Sequence, residues 1–141
     1  MFRSTLLCLL SIVPFTLLTA QTAERLAKGV NSEYEEREPV LTQDGNTLYF
    51  WRRETPENTA GALDPGDIWY SERVPGGAWQ TAKRMRTPIN THGHDFVWGV
   101  SADHDTLWIN QVSPGVKDNG TAYTVRTADN FWKAPQEVTI R

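Results

Sequence analysis

The sequence predicts an all-β protein made of two copies of one four-stranded antiparallel unit, following a short export signal. Three observations carry that expectation: a stretch that repeats itself, strands that are apolar on both faces, and turn residues where a meander needs them. Within each copy no helical period appears, since apolar residues alternate or run on rather than recurring at three- and four-residue spacing.

The first twenty residues read as an address. Met1 to Thr5 carries Arg3, Leu6 to Leu18 is apolar but for Ser11, Pro14 and Thr16, and Thr19-Ala20-Gln21 offers small residues to a signal peptidase. That is the three-part build of a secretory signal. The apolar run is shorter than the about 20 residues of a bilayer span. Cleavage is therefore expected after Ala20, giving a periplasmic or extracellular product with no stable membrane span. The single cysteine, Cys8, lies inside the run behind the bulky Leu7. Lipid attachment is not expected there, and the exported chain holds no thiol for a disulfide, a nucleophile or a metal. Residues 21–30 form a lead into the repeats.

The two units span 31–89 and 90–141. Asn31-Ser32-Glu33 answers Asn90-Thr91-His92, and Thr42-Gln43-Asp44-Gly45-Asn46-Thr47-Leu48-Tyr49-Phe50 answers Ser101-Ala102-Asp103-His104-Asp105-Thr106-Leu107-Trp108-Ile109, both at an offset of 59. Gly66-Asp67-Ile68-Trp69-Tyr70 then matches Gly120-Thr121-Ala122-Tyr123-Thr124 at 54, and Trp79-Gln80-Thr81-Ala82 matches Trp132-Lys133-Ala134-Pro135 at 53. The shrinking offset gives the first unit the longer middle loop, and the fixed order of elements marks a repeat architecture.

In the first unit Pro39 to Thr42 begins an extended run, and Asp44-Gly45-Asn46 turns the chain with residues that tolerate positive φ. Thr47 to Arg53 is β-branched and aromatic, as a strand prefers. Glu54 to Gly66 is a loop rich in Pro, Gly and Asn. Asp67 to Val74 is a third strand, Pro75-Gly76-Gly77 a turn, and Ala78 to Met85 a fourth strand. Four short antiparallel strands per unit match a propeller blade. The faces agree: Leu48 and Phe50 oppose Tyr49 and Trp51, and Ile68 and Tyr70 oppose Trp69, so both sides are apolar. A sandwich would wet one face, whereas a blade is stacked on both. Trp79 and Trp132 are expected to pack between blades.

The run Glu38-Pro39-Val40-Leu41-Thr42-Gln43-Asp44-Gly45-Asn46-Thr47-Leu48-Tyr49-Phe50, followed by Asp67-Ile68-Trp69-Tyr70-Ser71, resembles the TolB-like, WD-repeat-like β-propeller family of exported bacterial proteins. The family pattern passes from a Pro through a Ser/Thr-x-Asp-Gly turn to an apolar strand and an Asp-Ile-Trp strand. The second unit departs from it, with His104 at the turn glycine and Ala122-Tyr123 replacing Ile-Trp. The resemblance covers about residues 31 to 138 and implies a binding scaffold. Two blades fall short of the four or so that close a propeller. The chain is therefore expected to be an incomplete β-propeller, either the N-terminal piece of a longer one or a homo-oligomer that completes one.

Function narrows by exclusion. Fourteen basic against 17 acidic residues give a net charge of −3, without the basic footprint of a nucleic-acid binder. No nucleophile–histidine–acid order and no phosphate-cradling glycine loop appears, so no enzyme, catalytic residue or cofactor is expected. Thr91-His92-Gly93-His94-Asp95 with Asp103-His104-Asp105 gathers all three histidines, and imidazole and carboxylate are good zinc ligands. The repeat, however, sets His92, His94 and Asp95 against Glu33, Glu35 and Glu36, which makes this a polar connection; no metal site is expected. Ser101 to Trp108 resembles the Asp-box of sialidases, with Asp105 where that box has glycine. The alternative function is thus the N-terminal fragment of a carbohydrate-active, sialidase-like propeller enzyme. The acidic run Glu33–Glu38 reads as solvated surface, Arg52-Arg53 and Lys83-Arg84-Met85-Arg86 as strand-edge protection, and Asn119-Gly120 as a hairpin turn. What remains is binding of a protein or glycan through the loops 54–66 and 112–120. The candidate surface is Trp51, Trp98, Trp108, His92 and His94, with core packing the expected fate of each tryptophan.

Overall fold

The computed structural model describes residues 23–75, 77–111 and 120–138. The expected signal and residues 112–119 of the expected binding loop lie outside them. Among the described residues the first sheet holds β1 (Glu35–Leu41), β2 (Thr47–Arg53), β3 (Asp67–Glu72) and β4 (Lys83–Arg84). The second holds β5 (Phe96–Val100), β6 (Thr106–Gln111), β7 (Gly120–Val125) and β8 (Gln136–Glu137), each sheet an antiparallel meander in chain order. One 3₁₀ turn, Gly61–Leu63, interrupts the long middle loop. No described helix is long and apolar enough to cross a membrane.

β3 ends at Glu72, two residues short of the expected Val74, and the limits of β1 and β4 differ from expectation for identifiable reasons. β1 starts at Glu35 instead of Pro39, because Glu35 and Glu36 lie opposite Arg53 and Arg52 and opposite charges across a ladder favour pairing. The ladder then bulges between Arg37 and Val40, where Glu38 takes a positive φ. β4 shrinks to two residues because Trp79 leaves the ladder for an isolated bridge with Arg73. The acidic run is thus part of a sheet. Arg52, on a central strand, is no edge guard: its Nε donates to Glu36 at 2.8 Å and its Nη2 to the Val30 carbonyl at 2.9 Å.

The repeat is visible bond by bond. The Thr47 amide donates to Thr42 Oγ1 and the Thr106 amide to Ser101 Oγ, while Asp44 and Asp103 each accept the amide two residues on. Ser71 Oγ donates to the Gln80 carbonyl as Thr124 Oγ1 does to that of Lys133. Arg73 lies over Trp79 at 4.6 Å as Arg126 lies over Trp132 at 4.7 Å. The register corrects one sequence match. Phe50 faces Trp69 and Ile109 faces Ala122, so Trp69 corresponds to Ala122 and the third strands align at 53 instead of 54. A one-residue slip exchanges the two faces of a strand.

The faces then define the stack. Leu48, Phe50, Trp69 and Ala82 form a core with Val30, and Leu26 packs beside it. The residues before the first unit therefore cover the sheet, held by the Ala82 amide donating to the Gly29 carbonyl at 2.9 Å. Tyr49, Ile68, Met85 and Ile89 on the opposite side share a second core with Val97, Leu107, Ile109 and Ala122 of the second sheet. Leu107 and Ile109 are the counterparts of Leu48 and Phe50. The second sheet thus lays on the first the very face that the first lays under its lead. The stack is head-to-tail, and the counterpart of the Tyr49–Tyr70 face is left open on the second sheet.

Candidate binding surface

Three of the expected site residues meet in one aromatic file. The His94 ring stands edge-on to Trp51 with centroids 4.7 Å apart, then lies 5.1 Å from Phe96, and Phe96 meets Trp98 at 4.6 Å. The file starts in the core, where Trp51 is 5% exposed, and ends at Trp98, 59% exposed. Gly66 backs it: a Cβ there would stand 2.8 Å from Trp51 Cε3 and 3.0 Å from His94 Cδ2, so only glycine lets the backbone come this close. Burial lowers the His94 pKa, against the nearby Glu38 carboxylate. Trp51 Nε1 and His94 Nε2 are buried without a hydrogen-bond partner. The file is a packed stem with an apolar tip.

Trp108 stands apart from that file. It pairs across the ladder with Tyr123, ring centroids 5.7 Å apart, and is 42% exposed on the open face. Core packing therefore holds for Trp51 and fails for Trp98 and Trp108. His92 is exposed and joins no ring contact with the other four. Trp79 and Trp132 each sit half-buried at the margin of a core, but only Trp132 lies between sheets; Trp79 packs where the lead covers the first sheet. Among the described residues no group of three His, Asp or Glu side chains is arranged to hold a metal ion.

The 54–66 loop is tightly folded onto the sheet. Asn58 Nδ2 donates to the Arg52 carbonyl at 2.7 Å and Asn58 Oδ1 accepts from Trp69 Nε1 at 3.0 Å. Thr59 donates through both amide and hydroxyl to the buried Asp67, which also takes Arg84 Nη1 at 3.2 Å. Burial pushes the Asp67 carboxyl up, and these donors hold it back. Arg84, on the edge strand, is thus partly an internal ion-pair partner.

Sequence reasoning missed a cavity of about 390 Å³ between the two sheets, lined by Tyr49, Tyr70, Arg84, Arg86, Arg126 and Trp132 among others. Its residues come from five separated segments, so no local spacing could reveal it. The repeat offered one signal: the basic stretch Lys83-Arg84-Met85-Arg86 is answered by Gln136-Glu137-Val138-Thr139, which holds no cation. Comparison of the chain with protein-family models, with curated proteins and with solved structures finds no match.

Proposed function

We propose that this chain is a non-catalytic, exported binding module of two β-propeller-type blades, and that it acts by stacking. Its open face takes a further four-stranded sheet presented by a protein partner. The head-to-tail order of the sheets carries this reading. The face bearing Trp108 and Tyr123 is the counterpart of the Tyr49–Tyr70 face, which already receives a sheet inside the molecule. Leu107, Ile109 and Ala122 indicate what such a partner presents: small and branched apolar side chains in alternation. The resemblance of residues 38–50 to TolB-like repeats supports the blade reading, and residues 1–20 support export. Identical copies as they stand would not close a ring, because Leu26 and Val30 occupy the complementary face. A second copy can cover the open face only with its own.

The test is light scattering over a range of protein concentration. An apolar face around the exposed Trp108 and its neighbour Tyr123 is an association surface, so the wild type is expected to pair reversibly. Trp108→Lys is expected to abolish pairing while leaving the far-UV spectrum unchanged. A wild type that stays monomeric at every concentration, or pairing that Trp108→Lys does not touch, would overturn the reading.

A further inference from the structure

We propose that the cavity between the sheets is a binding site for a small carboxylate carrying a ring with an apolar face, a uronic acid being the chemical type, with Arg86 and Arg126 gripping the carboxylate. This stands independently of the open face. The volume of about 390 Å³ falls in the range of small-molecule sites, roughly 300–1,000 Å³. Tyr49 and Tyr70 from the first sheet and Phe131 and Trp132 from the second supply its aromatic walls. Such rings give a flat contact to an apolar ring face at small conformational cost.

The charges decide the sign of the ligand. Three arginines and one carboxylate, Glu72, line the cavity. Glu72 is engaged by Lys83 at 3.6 Å, and Arg84 by Asp67 and Thr59. Arg126 lies over Trp132 and donates from Nη1 to Asn130 Oδ1 at 3.0 Å and from Nη2 to the Tyr49 hydroxyl at 3.4 Å, with Asp105 at 3.8 Å, which leaves one N–H on each terminal nitrogen unassigned. The Arg86 side chain is exposed and makes no ion pair or hydrogen bond among the described residues. Two guanidinium groups thus keep unused donors, and their planar fork suits a carboxylate. Burial pushes the Tyr49 hydroxyl up to about 12, so it keeps its proton as a further donor.

The duplication separates this chemistry from the demands of folding. Thr42, Asp44, Ser71, Arg73 and Trp79 all recur in kind as Ser101, Asp103, Thr124, Arg126 and Trp132. The basic edge does not recur: Arg84 is answered by Glu137, and Arg86 by Thr139 at the same offset. Arg84 has a structural cause in the buried Asp67, whose counterpart in the second unit is Gly120, whereas the Arg86 side chain has no such partner among the described residues and calls for another cause.

The experiment is isothermal titration of the protein with sodium D-glucuronate, with methyl β-D-glucopyranoside as the neutral counterpart at equal ionic strength. Glucuronate is expected to bind saturably and the glucoside far more weakly. Arg86→Gln is expected to weaken glucuronate about tenfold, the loss of one charge-assisted hydrogen bond, while Arg86→Lys restores part of it. Because the Arg86 side chain makes no hydrogen bond or ion pair among the described residues, while its carbonyl still accepts the Ile89 amide in any variant, its variants are expected to keep the wild-type melting temperature and report on binding alone. Absence of saturable glucuronate binding, equal affinity for the glucoside, or glucuronate affinity unchanged in Arg86→Gln would each overturn the proposal.

Discussion

Asp44 shows how one exposed side chain can organise a turn and leave a trace in the pH dependence of the whole protein. Its carboxylate accepts from Thr42 Oγ1 at 2.6 Å, from the Asn46 amide at 3.0 Å and from Asn46 Nδ2 at 2.9 Å, and His104 of the other unit lies 3.7 Å away. The Thr42 hydroxyl first, then the Asn46 amide, lower its pKa from 3.8 to about 2. A carboxyl depressed in the folded state adds stability that is complete above its unfolded pKa and disappears as the acid is protonated in the fold. Wild type is therefore expected to lose stability on acidification between pH 3.8 and about 2 more steeply than Asp44→Asn, the two converging at the acid end. Urea titrations at stepped pH measure this; parallel curves would remove Asp44 from the acid response. The corresponding turn of the second unit uses His104 in a left-handed conformation, φ 64°, where the first uses Gly45 at 72°. The departure from glycine is legible in the sequence; that the turn survives it is not.

At the level of elements, the segment before the first strand has the largest unexpected role. Residues 21–30 read as a lead because Leu26 and Val30 are too few to show a period. Their destination is set by partners far along the chain: Arg52 grips the Val30 carbonyl, and Ala82 binds that of Gly29. Val30 is 3% exposed, and Val30→Ala is expected to cost about 2 kcal/mol, read as a lower urea midpoint with altered emission from the neighbouring Trp69. An unchanged midpoint would mean that the segment rests on the sheet without supporting it. β2 and β3 were legible because alternation over six or seven residues fixes a strand. The bulge in β1 and the two-residue β4 were not, since a bulge is decided by cross-strand charge and a truncation by where one tryptophan turns aside. The same limit hid the binding surface: His94 and Trp51 are 43 positions apart, and only the packing of Gly66 against both brings them together.

Across the whole molecule, the two sheets share one interior. Ile68 and Leu107, both 0% exposed, come from different units and lie in the same core. Ile68→Ala is expected to destabilise by about 2–5 kcal/mol and to lower a single transition, with tryptophan emission and far-UV circular dichroism unfolding together. Separate transitions by the two probes would mean that each sheet folds on its own. The all-β class and the turn chemistry could be read from the repeat itself. The direction of stacking could not, because a sheet apolar on both sides does not state which side meets which neighbour. That direction also sets an order of events at the ribosome. The lead and first sheet emerge first and can close over Leu48 and Phe50 at once, while Tyr49 and Ile68 wait bare for strands not yet made. Each unit in such a chain is finished by its successor, so the burden of shielding half-built protein falls always on the most recently synthesised face.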